Sequence, residues 1–405
     1  MIFQSVSWWK SSFAAFLLCG AVLFTAEPAF TQTQPPSSVK RSEILRYLPL
    51  TNFYDTPHPF PSGKIGELIR SESFDEYELP PEVSAIRILY HSHSATGENV
   101  TTSGVVLIPS EEKPPSEGWP IIAWAHGATG VARTCAPSLM RNLVHGPFLS
   151  MYVSLGYAVV ATDYAGLGSN FRNAYLDVQS NATDVIASIP AARAAVPQLG
   201  MRWIVMGESE GSLAALAVAE EETEIHDPGY LGSIAISGVT DARDLYTRQS
   251  QMLPSGADIF LAYGTKTVYP QFQVTDILTA KALELYGHIQ QDCWHPAASA
   301  EPTPGEMFKP GWENNEFVKQ YFARNSVGHI HATGPILVIS GDADRVVRTS
   351  LTAPIVERMC KQGDRVQWEE YSNLDPGRVI GDSVREQITW IEGRFAGRAA
   401  PGNCP

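Results

Sequence analysis

Five residues carry most of the chemistry legible in this chain: Gly207-Glu208-Ser209-Glu210-Gly211. They follow the apolar run Trp203-Ile204-Val205-Met206 and precede the helix-prone run Ser212-Leu213-Ala214-Ala215-Leu216-Ala217. Strand, then G-x-S-x-G, then helix is the order that holds a serine hydroxyl on a sharp turn above the carboxyl end of a sheet, aimed at a carbonyl carbon. The two glycines leave room in a turn where a Cβ would strike neighbouring backbone. G-x-S-x-G alone also occurs in ordinary loops joining a strand to a helix. The flanking elements make Ser209 the expected nucleophile.

Three further loops fall where such a serine needs help. After the apolar run 121–124 comes Ala125-His126-Gly127-Ala128-Thr129-Gly130. Backbone N–H groups of Gly127 or Ala128, with that of Glu210, are expected to hold the oxyanion formed when a carbonyl is attacked. His126 in such a turn reads as structural rather than catalytic. After residues 158–161, Thr162-Asp163-Tyr164-Ala165-Gly166-Leu167-Gly168 reads as a packed loop beside the site. After residues 336–339 comes Ser340-Gly341-Asp342-Ala343-Asp344-Arg345-Val346-Val347. Its G-x-x-D-x-x-V pattern puts Asp344 at a strand tip, as the acid that would orient a base. Asp342 is its rival, and a solvated turn carboxylate is the plainer alternative.

The elements that must position these loops are legible as a rhythm. Apolar, β-rich runs at 85–90, 104–108, 120–124, 158–161, 203–206, 234–236, 335–339 and 366–368 alternate with helical patterns such as 182–195, 209–220, 351–361 and 382–395. Most of the runs are continuous Val/Ile/Leu, as a sheet buried on both faces requires, and the first alternates as an edge strand would. Strands alternating with helices predict an α/β fold with a mostly parallel, doubly wound sheet. The rhythm breaks over 241–333, between the sixth and seventh expected strands. There 245–253, 259–262 and 278–288 look helical and a Pro/Trp-rich stretch runs over 294–312. An insertion at that point is expected to form a helical cap over the carboxyl ends of the strands, an independent helical decoration being the alternative.

The amino end predicts export. Lys10 precedes an uncharged apolar run over 11–24, which contains Cys19, and small residues follow around Ala26 and Ala29. That is the pattern of a signal peptide, here 1–31, followed by a lead-in over 32–60 that begins with a Gln/Pro/Ser-rich stretch over 31–38. The core is expected over 61–240 and 334–405. In an oxidising compartment Cys135, Cys293, Cys360 and Cys404 favour two disulfides, and three pairings are open; Cys135 with Cys293 and Cys360 with Cys404 are preferred. Metal binding is not expected, because no cysteine pair is closely spaced. The sequons at Asn99 and Asn181 matter only in a host that glycosylates. The 405 residues are 44% hydrophobic and 18% charged with a net charge of -14, which argues against a nucleic-acid partner.

Taken together, these motifs resemble the secretory lipase family of the α/β-hydrolase fold. The likeness rests on W-A-H-G-x-T-G with C-A-P-S after it, A-T-D-Y-x-G-L-G, G-x-S-x-G, S-G-D-A-D-R-V-V and the closing W-I-E-x-R-F-A-G. It runs over nearly the whole chain after the amino-terminal segment. The resemblance implies a secreted carboxylic-ester hydrolase acting on an ester or lipid through a Ser-Asp-His triad, without a cofactor. It also implies a helical cap, transient contact with a lipid interface through that cap, and the two preferred disulfides.

One part of the triad is missing from its place. The family's histidine follows the eighth strand in a turn that usually reads D-H-G, and here the turn reads Leu374-Asp375-Pro376-Gly377-Arg378. Proline neither accepts nor donates a proton there, and no histidine follows His331. His329 and His331 precede the seventh expected strand, and crossing a strand of about six residues moves about 20 Å, too far to partner Ser209. His126, His288 and His295 are the remaining rescuers considered. Glu208, Glu210 and Asp375 are possible carboxylate bases at low pH. A carboxylate about 6 Å from a developing oxyanion costs about 3 kcal/mol at an effective dielectric of about 20, which applies to Glu210 only if it points inward ionised. Three readings stand: an ester hydrolase acting through Ser209, a catalytically impaired hydrolase fold that binds an apolar ligand, or a repurposed pocket running lyase or transferase chemistry with Ser209 and the carboxylates.

Overall fold

The computed structural model describes residues 47–249, 252, 253, 256–290, 293 and 306–404. The expected signal peptide, the first part of the lead-in and His295 lie outside the described residues.

Nine strands form one sheet in the order β1-β2-β3-β5-β4-β6-β7-β8-β9. They are β1 (Leu68–Ser73), β2 (Val83–His93), β3 (Asn99–Pro109), β4 (Trp119–Ala125), β5 (Ala158–Thr162), β6 (Leu199–Glu208), β7 (Tyr230–Ile236), β8 (Ile336–Gly341) and β9 (Val366–Tyr371). The first four in the sheet pair antiparallel, and the run from β5 through β4, β6, β7 and β8 to β9 is parallel. All eight expected strands are present. The ninth, β1, has the sequence Leu-Ile-Arg-Ser-Glu-Ser and passes from half-buried to exposed. A polar, short edge strand gives little hydrophobic signal. With β1 in place, β2 is paired on both sides rather than being the edge its alternation suggests.

Burial on both faces explains the continuous apolar runs. In β4, Ile121, Ala123 and Ala125 join one core with Trp203 and Val205 of β6, while Ile122 and Trp124 join the other with Ile204 and Met206. The period-2 pleat sends alternate residues to opposite faces, so both sets must be apolar. Helices α2 (Val178–Ala195) and α3 (Glu210–Ile225) cover the first face with Val185, Leu213 and Leu216. Helices α1 (Gly146–Ser154) and α10 (Val384–Phe395) cover the second with Leu149, Tyr152, Trp390 and Ile391. The region after β8 holds α8 (Thr349–Lys361) and α9 (Pro376–Asp382). The helix expected over 382–395 is α10, and α9 is a separate short helix before it. Asp375 caps α9 by accepting from Arg378 N, and Pro376 fills its first position, where a missing N–H costs nothing.

Between β7 and β8 the chain forms α4 (Ala242–Arg248), α5 (Ala257–Val268), α6 (Ala280–Tyr286) and α7 (Glu316–Arg324). Helix α7, absent from the sequence reading, is capped by Asn315, whose Oδ1 accepts from Phe317 N and Val318 N, and buries Val318, Tyr321 and Phe322. This segment is fastened to the start of α2. Asn325 Oδ1 accepts from Val178 N at 2.9 Å, Arg324 pairs with the buried Asp177, and the Tyr321 hydroxyl donates to the Tyr175 carbonyl. The disulfide Cys135–Cys293 joins it to the loop after β4, and Cys360–Cys404 ties the carboxyl-terminal tail to α8. These are the two preferred pairings. Asn181 is buried with its amide donating to Glu210, so its sequon is closed to modification in the folded chain, whereas Asn99 is exposed.

Candidate active site

Ser209 stands between the last residue of β6 and the first of α3, with φ 54° and ψ −121°. A non-glycine residue in that region is strained, and strain of this kind persists only where the surroundings impose it. Here they do. Ser209 N donates to Ile236 O at 2.9 Å, and Ser209 O accepts from Ser212 N at 3.0 Å and from Ser212 Oγ at 2.7 Å. A Cβ on Gly207 would lie 1.9 Å from Gly211 O, and one on Gly211 would lie 1.9 Å from Ala125 O. Strand, turn and helix therefore close on one another at distances only glycine allows, and the serine side chain is left half-buried at the sheet's carboxyl end.

Register brings the next loop alongside. Ala125 at the end of β4 pairs with Gly207, so His126 and Gly127 emerge beside Ser209. A Cβ on Gly127 would lie 3.2 Å from Ser209 Cβ and 2.5 Å from Glu208 Oε2. The backbone N–H groups of Gly127, Ala128 and Glu210 make no hydrogen bond among the described residues, the last because the first N–H groups of a helix have no intrahelical acceptor. His126 is buried, stacked on Tyr164 with ring centroids 4.2 Å apart, and its Nδ1 lies 2.6 Å from Gly127 O. Burial lowers its pKa to about 4, so the ring is neutral and its one N–H is used on the backbone.

The acid is held with equal definition. Asp344, in the loop after β8, is 3% exposed, and its Oδ1 accepts from Val346 N at 2.8 Å and Val347 N at 2.9 Å. Its Oδ2 is buried and has no hydrogen-bond partner among the described residues. Burial first, and the Asp375 carboxyl second, raise the Asp344 pKa to about 6 despite those two N–H donors. The rival Asp342 is exposed, and its Oδ1 accepts from Asn373 N in the turn after β9. That turn packs on β8, since a Cβ on Gly341 would lie 2.2 Å from Leu374 O, and it continues into Asp375 and Pro376.

Among the described residues no histidine bonds to Ser209 or Asp344. His288 is exposed in the turn after α6. His329 contacts Ser326 Oγ at 2.9 Å, and His331 lies 2.5 Å from Asp364, two residues before β9 begins, at the amino ends of the strands.

The two glutamates of the elbow diverge. Glu210 Oε1 accepts from Leu176 N at 2.9 Å and Asn181 Nδ2 at 3.0 Å, so its carboxyl is spent on the loop before α2. Glu208 turns the other way, beside Gly127, with Oε2 3.9 Å from His145 Nε2. Burial raises both carboxyls to about 7; for Glu208 the Asp344 charge adds to the rise, and for Glu210 the two donors oppose it. His145, packed edge-on against Trp124, is lowered to about 4 by burial and then by His126. Its contact with Glu208 is therefore not an ion pair at neutral pH, and 3.9 Å is too long for a hydrogen bond. The sequence reading missed His145. The signal was its place between β4 and α1, because every loop leaving a parallel strand begins at the carboxyl end where Ser209 stands. No group of three His, Cys, Asp or Glu side chains among the described residues could hold a metal ion.

The arrangement has counterparts. No curated protein matches the sequence. Candida antarctica lipase A in its closed state superimposes with a TM-score of 0.73 at 17% identity, over 89% of this chain and 89% of that one. The rice cell wall degrading esterase LipA from Xanthomonas oryzae gives a TM-score of 0.70 at 18% identity, over 82% of this chain and 100% of that one. At such identities the likeness establishes the shared α/β-hydrolase fold. The family assignment comes from the sequence itself: the secretory lipase model matches residues 144–403, well over half of the chain, and the chain belongs to the secretory lipase family.

Proposed function

We propose that this protein is an exported carboxylic-ester hydrolase in which Ser209 attacks the ester carbonyl and is transiently acylated. The observation that carries this reading is the strained Ser209 backbone, which the glycines at 207 and 211 and the Ser212 bonds hold in place. Strain maintained by that many contacts marks a position where presentation of a side chain is worth its cost. The unbonded N–H groups of Gly127, Ala128 and Glu210 are the natural seat for the oxyanion. Asp344 serves as the acid whose charge supports the proton acceptor. Glu210 imposes little of the electrostatic penalty its sequence position suggests, because its carboxyl is turned onto Leu176 and Asn181.

The segment 241–333 serves as the cap. In support, Tyr246, Phe260 and Tyr263 join the core on the α2 and α3 face, and Phe260 meets Tyr175 with ring centroids 5.4 Å apart. Residues 1–31 act as the export signal, and the two disulfides fit an oxidising compartment.

The test is turnover of short-chain p-nitrophenyl esters, together with labelling of Ser209 by a fluorophosphonate and mapping of the label by peptide mass. Turnover that disappears with Ser209→Ala, and a label on the Ser209 peptide, support the reading. Absence of both in the unaltered protein sinks it and leaves the apolar-ligand binder as the account of the fold.

A further inference from the structure

We propose that the Glu208 carboxylate is the proton acceptor for Ser209, standing in for the histidine that position 376 does not supply. The inference rests on the hydrolase reading above and names the base that reading lacks.

Geometry comes first. A single point, the Cβ position on Gly127, lies 2.5 Å from Glu208 Oε2 and 3.2 Å from Ser209 Cβ. The carboxylate oxygen and the nucleophile's Cβ are therefore no further apart than those two distances laid end to end. That span admits direct transfer or transfer through one water molecule. The other carboxyls near Ser209 do not serve. Glu210 is committed to Leu176 and Asn181, and Asp375 is exposed and caps α9. Of the two imidazoles at this end of the sheet, the buried His126 is committed to the backbone. The half-buried His145 makes no hydrogen bond to the serine and lies 3.9 Å from Glu208 Oε2.

The surroundings of Glu208 set its basicity. Facing it are Asp344 from the loop after β8, His145 from the start of α1, and His126 behind Gly127; Tyr164 lies within electrostatic reach, and Asp375 acts on Asp344. None of these is a cation at neutral pH, since both imidazoles are lowered to about 4. A half-buried, desolvated carboxyl with an anionic neighbour and no cation has its proton affinity raised, here to about 7. An ordinary glutamate is too weak a base for this task at neutral pH, whereas one near 7 matches a histidine. Asp344 is then a positioning residue: its charge raises the basicity of Glu208.

The steps balance. As Ser209 Oγ bonds to the acyl carbon, its proton passes to the Glu208 carboxylate. The tetrahedral intermediate expels the alcohol, which takes that proton, and the acyl-serine remains. Water then attacks the acyl carbon, giving its proton to Glu208, and Ser209 Oγ leaves with the same proton as the acid is released.

The experiment measures kcat/KM for p-nitrophenyl butyrate from pH 5 to pH 9 in the unaltered protein and in Glu208→Gln, Glu208→Asp and Asp344→Asn. The unaltered enzyme should gain activity through a midpoint near pH 7. Glu208→Gln should lose at least about 100-fold. The amide resembles the protonated acid and removes a buried ionisation, so the variant should stay folded, and an unchanged or raised Tm at pH 8 checks this. Glu208→Asp should keep a residue of activity, and Asp344→Asn should move the midpoint to lower pH. Full activity in a folded Glu208→Gln, with Ser209→Ala inactive, overturns Glu208 as the base while leaving the hydrolase reading intact. An unaltered protein with neither turnover nor label overturns both.

Discussion

The turns after β6 and after β9 are both at the carboxyl end of one sheet, and they are built in opposite ways. The first holds a strained serine between two glycines on which an added Cβ would fall 1.9 Å from a backbone oxygen. The second is relaxed. Asp375 caps α9, Pro376 enters it at a position where proline is preferred, and nothing donates a proton toward the buried Asp344 Oδ2. The turn after β6 forces one side chain out at the sheet's carboxyl end, while the turn after β9 is an ordinary helix start. An acid left with one oxygen bonded twice and the other not at all marks where a donor is missing. Beside that acid stands Glu208, a second carboxyl, rather than an imidazole.

The contrast breaks most decisively at the serine. Ser209→Ala should cut ester turnover by several powers of ten and abolish fluorophosphonate labelling. The base turn should respond in the other direction. Pro376→His offers an imidazole N–H to Asp344 Oδ2 and is expected to raise kcat/KM by about 10-fold or more, with a pH midpoint that no longer depends on Glu208. Unchanged activity with an unchanged midpoint would show that position 376 does not face the site. Next in size is Gly127→Ala, whose added Cβ would meet Glu208 Oε2 at 2.5 Å and Ser209 Cβ at 3.2 Å. A loss of about 10-fold is expected, with little change in Tm because the carboxylate end can shift.

The smallest effect is on stability, and its sign is unusual. Burial raises the folded-state pKa of Glu208, Glu210 and Asp184 to about 7 and of Asp344 to about 6. A carboxyl with a raised folded pKa gives stability that is fully present below its unfolded value, about 4, and that is lost as pH rises through the folded value. Stability, and with it Tm, should therefore fall between pH 5 and pH 8, the loss in unfolding free energy being on the order of a few kcal/mol shared among these groups. Glu208→Gln should flatten part of that slope. A Tm that rises over the same interval would contradict the burial of these acids. If Glu208 is the base, activity rises over the same range in which stability declines.

The legibility of the molecule follows the range of the interactions involved. Strands β2 to β8 stand out because strands inside the sheet are covered on both sides and so carry runs of apolar residues, and β1 does not because Arg70, Ser71 and Glu72 make it polar at an edge. Helix α7 has only three buried side chains, Val318, Tyr321 and Phe322, in a polar stretch, and its period is easily lost. At the site, the positions of Ser209 and Asp344 were legible because each is fixed by a few neighbouring residues of its own turn. His145 was not, because its approach to Glu208 depends on how the β4 loop folds back over β6.

By itself the sequence determined the α/β alternation, the strand-turn-helix around Ser209, the place of Asp344 in the loop after a strand and the absence of histidine from the turn at Pro376. All of these are patterns of local period, turn chemistry or residue identity. Only the tertiary structure decided which of three cysteine pairings forms, that Glu210 turns away while Glu208 turns toward Gly127, and that Asp344 Oδ2 is left without a donor. Those outcomes depend on which loops share the carboxyl end of the sheet and how far burial removes their charges from water, and neither is written in any single stretch of chain.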